Sequence, residues 1–174
     1  MLMRQSAIRN RGAFRSPVRW CTGFTLTEIL IAVAIIAVIS SIAIPLYTQY
    51  SLRTFRTEAQ SDLLLCAQGM ERLAAASGFT YAGQVDTDND GTGDADNGAV
   101  SPNMCTPRST LRYSIAVQNV PGNGATFEII AIPLAGSATA SDGRLLIDSA
   151  SSQFWDENND ADFNDAGEDN WQAD

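Results

Sequence analysis

Gly23-Phe24-Thr25-Leu26-Thr27-Glu28, continued by Ile29-Leu30-Ile31-Ala32-Val33-Ala34-Ile35-Ile36-Ala37-Val38-Ile39, decides how this chain is read. It sets one carboxylate, Glu28, near the start of an otherwise apolar segment, behind an arginine-rich leader. A carboxylate at the centre of a spanning helix costs about 2.5–3.5 kcal/mol, so such a residue marks function. Phe24 to Ile44 would measure about 31 Å as a helix, matching a hydrocarbon core of about 30 Å. Ser40 and Ser41 fit a span because helical hydroxyls bond back to the preceding turn. Pro45 comes where the chain leaves the lipid and predicts a kink or a freed carbonyl. A secretory signal is the first alternative, but its basic region would be unusually long and its best small-residue site, Ser41-Ile42-Ala43, is mediocre. A buried core helix is the second, and the length argues against it. We read a membrane span.

Charge is split along the chain. Residues 1–23 hold Arg4, Arg9, Arg11, Arg15 and Arg19 and no acid, while the remainder holds six Arg, no Lys and all 20 acids. The positive-inside rule then puts the leader in the cytoplasm and an acidic head in the periplasm. An acidic head is a poor partner for phosphate, so nucleic acid is not expected to bind. Cys21 lies in the leader, leaving Cys66 and Cys105 as the outward pair. In an oxidising compartment they are expected to bridge, which is worth roughly 4 kcal/mol on the chain-entropy model. Two unpaired buried thiols are the alternative.

The opening motif resembles the N-terminal signature of type IV prepilins and of the related type II secretion pseudopilins. The resemblance implies that a prepilin peptidase cuts between Gly23 and Phe24 and methylates the Phe24 amine. It makes Glu28 the assembly residue, paired in a filament with the Phe24 amine of a neighbouring subunit. Such pairing would remove two uncompensated charges from an apolar bundle. Ala32, Ala34, Ala37, Ser40, Ser41 and Ala43 are small enough to let helices approach closely. Ala37 departs from the pattern of major pilins, which often carry Gly there, so local melting of the helix towards Pro45 is less assured.

Beyond Pro45 the apolar residues Leu52, Phe55, Ala59, Leu63, Cys66, Met70 and Leu73 recur at steps of three or four, with Arg53, Arg56, Glu58, Asp62 and Arg72 elsewhere. This is an amphipathic helix whose stripe needs a sheet to cover it, ending at Ser77-Gly78. Residues 79–109 read as loop. Leu111 to Gln118 alternates as a half-buried strand, Pro121-Gly122-Asn123-Gly124 is a turn, and Thr126 to Ile132 and Arg144 to Asp148 read as further strands. A fourth strand around Gln153-Phe154-Trp155 is weaker. The expected fold is α+β: a long N-terminal helix, transmembrane in its first half, packed on a small antiparallel sheet. The domains are a removed leader (1–23), an assembly helix (24–46), and an amphipathic helix with a periplasmic head (47–174). Cys66-Ala67-Gln68-Gly69-Met70-Glu71-Arg72, Tyr113 to Val117 and Gly143 to Asp148 further resemble PilE/ComP-type minor pilins.

Two acidic runs have calcium-loop spacing. Asp86, Asp88, Asp90 and Asp94 fall at positions 1, 3, 5 and 9, with Gly91 at the sharp turn and Thr92 at position 7. Asn97 replaces the closing Glu, so a weak Ca2+ site and a solvated acidic turn are weighed equally. Asp156, Asn158 and Asp160 repeat the spacing, with Ala161 where Gly belongs. Glu168 and Asp169 could add ligands there, though an acidic tail is the preferred account. Ca2+ is the one candidate cofactor, and none is required.

The chain has no His, which excludes imidazole bases and His-based triads and zinc sites. No small-molecule substrate or catalysis is expected. The leading reading is a minor pilin, partnered by other pilins, the peptidase and the inner membrane. It would end in an extracellular pilus that supports biogenesis, twitching motility and adhesion. The alternatives are a type II secretion pseudopilin, a DNA-uptake receptor, and a secreted calcium-binding domain.

Overall fold

The computed structural model describes residues 23–172, so the leader through Thr22, with Cys21, lies outside the described residues. The division between two compact units falls between Ile42 and Ala43. Helix α1 runs Leu26–Ala76 and continues through Pro45. In the first unit every large apolar side chain from Phe24 to Ile42 is exposed by half or more. That much contiguous apolar surface requires lipid or partner helices. Ser41 donates its hydroxyl to the Val38 carbonyl at 2.7 Å, the back-bonding that fits serine to this setting. α1 ends where the sequence predicts. Gly78 takes φ 82°, and the Phe79 amide reaches back to the Ala74 carbonyl at 2.8 Å in a Schellman-type stop.

In the second unit five strands follow in chain order: β1 (Gly98–Ala99), β2 (Tyr113–Asn119), β3 (Glu128–Pro133), β4 (Leu145–Asp148) and β5 (Gln153–Trp155). Each pairs antiparallel with the next, giving a meander. β2 and β3 are joined through α2 (Pro121–Gly124), a single turn in which Gly122 and Asn123 are both left-handed, as those two residue types permit. Alternate residues Tyr113, Ile115 and Val117, Ile129 and Ala131, Leu145 and Ile147 line one face. With Trp155 they form one core against Ala59, Leu63, Cys66 and Met70 of α1. The fold is therefore α+β, as the stripe and the alternation predict.

The opposite face is not left to solvent. Ile130, Leu146 and Phe154 are register partners across three strands, and Ile130 and Leu146 are buried. The C-terminal segment folds back there: Phe163 lies 6.1 Å from the Phe154 ring, and the Trp171 indole donates to the Leu146 and Phe154 carbonyls. A plain acidic tail is therefore not what the chain makes.

Two charged residues of α1 also differ from expectation. Asp62 and Arg56 read as solvent-facing, yet Asp62 is buried and the Arg56 side chain is only 12% exposed. Each meets a distant partner. Asp62 Oδ2 accepts the Arg108 and Ser109 amides and the Ser109 hydroxyl, all within 2.8 Å. Along the same face Cys66 is bridged to Cys105 with Cα atoms 4.9 Å apart. Gly69 lies so close to the Met104 carbonyl that a Cβ would overlap it, and Arg72 donates to the Asn103 and Met104 carbonyls. One helix face thus holds residues 103–109.

Candidate functional site

The start of α1 is a capping box. Thr25 Oγ1 accepts the Glu28 amide at 3.2 Å, and Glu28 Oε2 accepts the Thr25 amide at 3.0 Å and the Thr25 hydroxyl at 2.9 Å. Thr at the cap and Glu three residues on satisfy two otherwise orphaned backbone donors reciprocally. Glu28 is therefore held one turn inside the helix, close to the bond between Gly23 and Phe24. Phe24 is 83% exposed, so that bond is open to approach.

Of the acidic residues in the first loop, Asp86, Asp88 and Asp90 come together, with ligand oxygens within 4.8 Å of one another. Asp86 is buried and accepts the Asp90 and Gly91 amides; Asp88 accepts the Asp90 amide, and Asp90 that of Thr92. Asp94 does not join them. Its carboxylate takes the Thr87 amide and hydroxyl, and these bonds, the amide first, hold its pKa below the ordinary value. Asn97 is exposed immediately before β1.

The second run has the same internal pattern. Asp156 accepts the Asp160 and Ala161 amides, Asn158 accepts the Asp160 amide, and Asp160 that of Asp162. The glycine position is again left-handed, with Gly91 at φ 94° and Ala161 at φ 79°. Spacing in the sequence carries this equivalence. It does not carry the burial of Asp156 and Glu168, which comes from the fold-back onto the sheet.

Three of the six arginines beyond the leader are engaged through their side chains. Arg56 pairs with Asp142, Arg72 binds backbone carbonyls, and Arg112 lies 3.6 Å over the Phe55 ring with Glu58 at 3.5 Å. Sequence reasoning missed the cluster of Arg56, Asp142, Tyr113 and Trp155, whose members are scattered along the chain. Burial, with the Asp142 hydrogen bond and charge adding to it, pushes the Tyr113 pKa well up.

A long apolar helix opened by a capped carboxylate, continuing into a disulfide-bonded α+β head, is the architecture of a membrane-anchored filament subunit. A family model described as "Type IV minor pilin ComP, DNA uptake sequence receptor" matches residues 45–144, and the chain belongs to this family of type IV pilins. The prokaryotic N-terminal methylation motif matches residues 21–44. The chain is 33% identical over 104 residues to the type IV major alpha-pilin of Moraxella bovis, covering 59% of this chain and 63% of that one. It is 51% identical over 41 residues to a fimbrial protein of Pseudomonas aeruginosa, covering 24% and 27% of the two chains. Each match spans less than two thirds of the relative's own length. No solved structure matches. The family description names DNA uptake, which runs against the expectation that nucleic acid is no partner.

Proposed function

We propose that this chain is a structural minor subunit of a type IV pilus. A prepilin peptidase cuts it between Gly23 and Phe24, residues 24–46 hold it in the inner membrane, and the head waits in the periplasm. The subunit then enters an extracellular filament through Glu28 and the Phe24 amine, in support of pilus biogenesis, motility and adhesion. The observation that carries this reading is Glu28. It is the one acid in a stretch of α1 whose apolar surface is bare, and the methylation motif covers it. Mass spectrometry of the mature N-terminus is the direct test. A methylated Phe24 supports the reading, and a start near Ile44 refutes it. The pseudopilin alternative is separated by a deletion strain: lost twitching with intact protein secretion supports the pilus, and the reverse favours the secretion system.

The family description favours a second reading, a DNA-uptake receptor. Among the described residues, Arg53, Arg108 and Arg144 are the arginines with no ion pair, cation–π contact or carbonyl bond from the guanidinium. With so few phosphate contacts, binding would have a shallow salt dependence and low affinity. A gel shift with the detergent-solubilised chain at low salt tests this. Retardation weakened by Arg108→Ala supports it, and no retardation sinks it.

A further inference from the structure

We propose that the C-terminal loop Asp156–Glu168 is a Ca2+ site in which Glu168 supplies the closing carboxylate. The loop lies beyond residue 144, where the family match ends, and the proposal does not depend on how the N-terminus functions.

The fold fixes both ends of the loop. Asp156 follows directly on Trp155 of β5 and is fully buried. Trp171 is 8% exposed, its indole bonds to two strand carbonyls, and its own carbonyl accepts Gln60 of α1 at 3.2 Å. Between these anchors Asp156, Asn158 and Asp160 accept the amides of Asp160, Ala161 and Asp162, the equivalents of those that Asp86, Asp88 and Asp90 accept in the first loop. Side-chain oxygens at positions 1, 3 and 5 are the first half of a calcium loop.

Glu168 is the independent observation. It is 2% exposed and turns back into its own loop, where Oε2 accepts the Asp165 amide at 3.2 Å. Its other oxygen, Oε1, is the one buried side-chain polar atom without a partner among the described residues. Asp165 in turn accepts Asn158 Nδ2 at 2.6 Å, which leads from the Glu168 end of the loop towards the oxygen cluster. Glu168, Asp156 and Asp160 do not yet converge within 4.8 Å as Asp86, Asp88 and Asp90 do, and the ion would draw them together. A carboxylate oxygen buried without a partner is unfavourable unless a cation compensates it. No Arg or Lys lies between Trp155 and Trp171 to do so. The donors are all oxygen, which selects a hard cation over zinc or copper. A loop rich in carboxylates suits the six to eight oxygen ligands of Ca2+ better than the strict octahedron of Mg2+.

The loop carries its own reporters. Trp155 and Trp171 flank it, and the third tryptophan, Trp20, belongs to the leader. In the detergent-solubilised full chain, Tb3+ bound here should luminesce when excited through tryptophan. Ca2+ should displace it at roughly 10⁻⁴–10⁻³ M, the range of extracellular calcium modules. Glu168→Gln should weaken Tb3+ at least tenfold, while Asp88→Asn in the other loop should leave the tryptophan-excited signal unchanged. Should Glu168→Gln fail to fold, Asp160→Asn at an exposed position is the deciding variant, with the same expected loss. Absence of sensitised Tb3+, or a signal that survives both Glu168→Gln and Asp160→Asn, overturns the proposal.

Discussion

Arg56 and Asp142, 86 residues apart, form a two-point ion pair, with Nη2 2.5 Å from Oδ1 and Nε 3.1 Å from Oδ2. The pair is largely buried. The guanidinium lies 3.5 Å over the Trp155 ring, Tyr113 donates its hydroxyl to Asp142 Oδ2, and the Trp155 indole donates to the Asp142 carbonyl. Helix, first long strand, last strand and the 139–142 turn thus meet at one carboxylate. Removing one partner of a buried pair leaves the other uncompensated, at a cost of about 3–5 kcal/mol. Arg56→Ala should lose that much in urea melts of the solubilised chain. Arg56→Lys keeps the charge but neither the fork nor the stacking, and should recover only part of the loss. A loss below about 1 kcal/mol in Arg56→Ala would class the contact with exposed pairs.

Cys66, Gly69 and Arg72 hold the segment ending at Cys105 by three different means. Breaking the bridge with Cys66→Ser and Cys105→Ser should cost about 4 kcal/mol for a loop of this length. Gly69→Ala forces a Cβ into the Met104 carbonyl, and overpacking of this kind costs typically about 1–3 kcal/mol. With the bridge intact the backbone cannot retreat. Combining all three changes should therefore cost less than the sum, since a freed segment can move away from the added methyl group. Strict additivity in thermal melts would show that the bridge does not restrain the Met104 backbone.

Residues with local periodicity were legible, and residues defined by distant partners were not. The alternation Tyr113, Ile115, Val117 and the stripe Ala59, Leu63, Cys66, Met70 announce a strand and a helix face because periods of about 2 and 3.6 are written in neighbouring residues. β1 escaped because two residues, Gly98 and Ala99, become a strand only by pairing with Val117 and Ala116. Asp62 and Arg56 look like a solvated face until the loop at 108–109 and Asp142 arrive. Of the candidate sites, the 1-3-5 spacing was readable in both acidic loops. The diversion of Asp94 to Thr87 was not, since it depends on how the loop closes. The burial of Glu168 depends likewise on Trp171 returning to the sheet.

Tyr113 gives the head an alkaline limit. Burial chiefly, then the hydrogen bond to Asp142 and its negative charge, hold the folded-state pKa far above the ordinary 10.0, with Arg56 opposing. A group kept protonated by folding contributes its full stability below its unfolded pKa. That stability is lost as pH rises above 10 towards the folded value. Wild-type melting temperature should therefore fall steeply above about pH 10. Tyr113→Phe should be less stable at neutral pH by about 1.5–3 kcal/mol, for loss of a hydrogen bond to a charged group, but flatter in the alkaline range. Asp94 works in the opposite sense: its stability is present above pH 3.8 and lost as pH falls through its lowered folded value. Parallel alkaline slopes for wild type and Tyr113→Phe would exclude Tyr113 as the group responsible.

Glu28 combines two roles that substitution can separate. As the third helical residue it caps the Thr25 amide, and as a charge it is proposed to neutralise the amine left at Phe24. A glutamine at this position still serves a capping box but carries no charge. Glu28→Gln should thus accumulate in the membrane at wild-type levels yet be absent from sheared filaments. Thr25→Ala does the converse. It removes the reciprocal cap, at about 0.5–2 kcal/mol, and leaves the carboxylate in place. That variant should still enter filaments, with at most a modest loss of yield. Immunoblots of membrane and sheared fractions read both variants against Glu28→Ala, which removes cap and charge together. If Glu28→Gln assembles normally while Thr25→Ala does not, the helix start matters for its geometry alone. Pairing of Glu28 with a neighbour's amine would then be discarded.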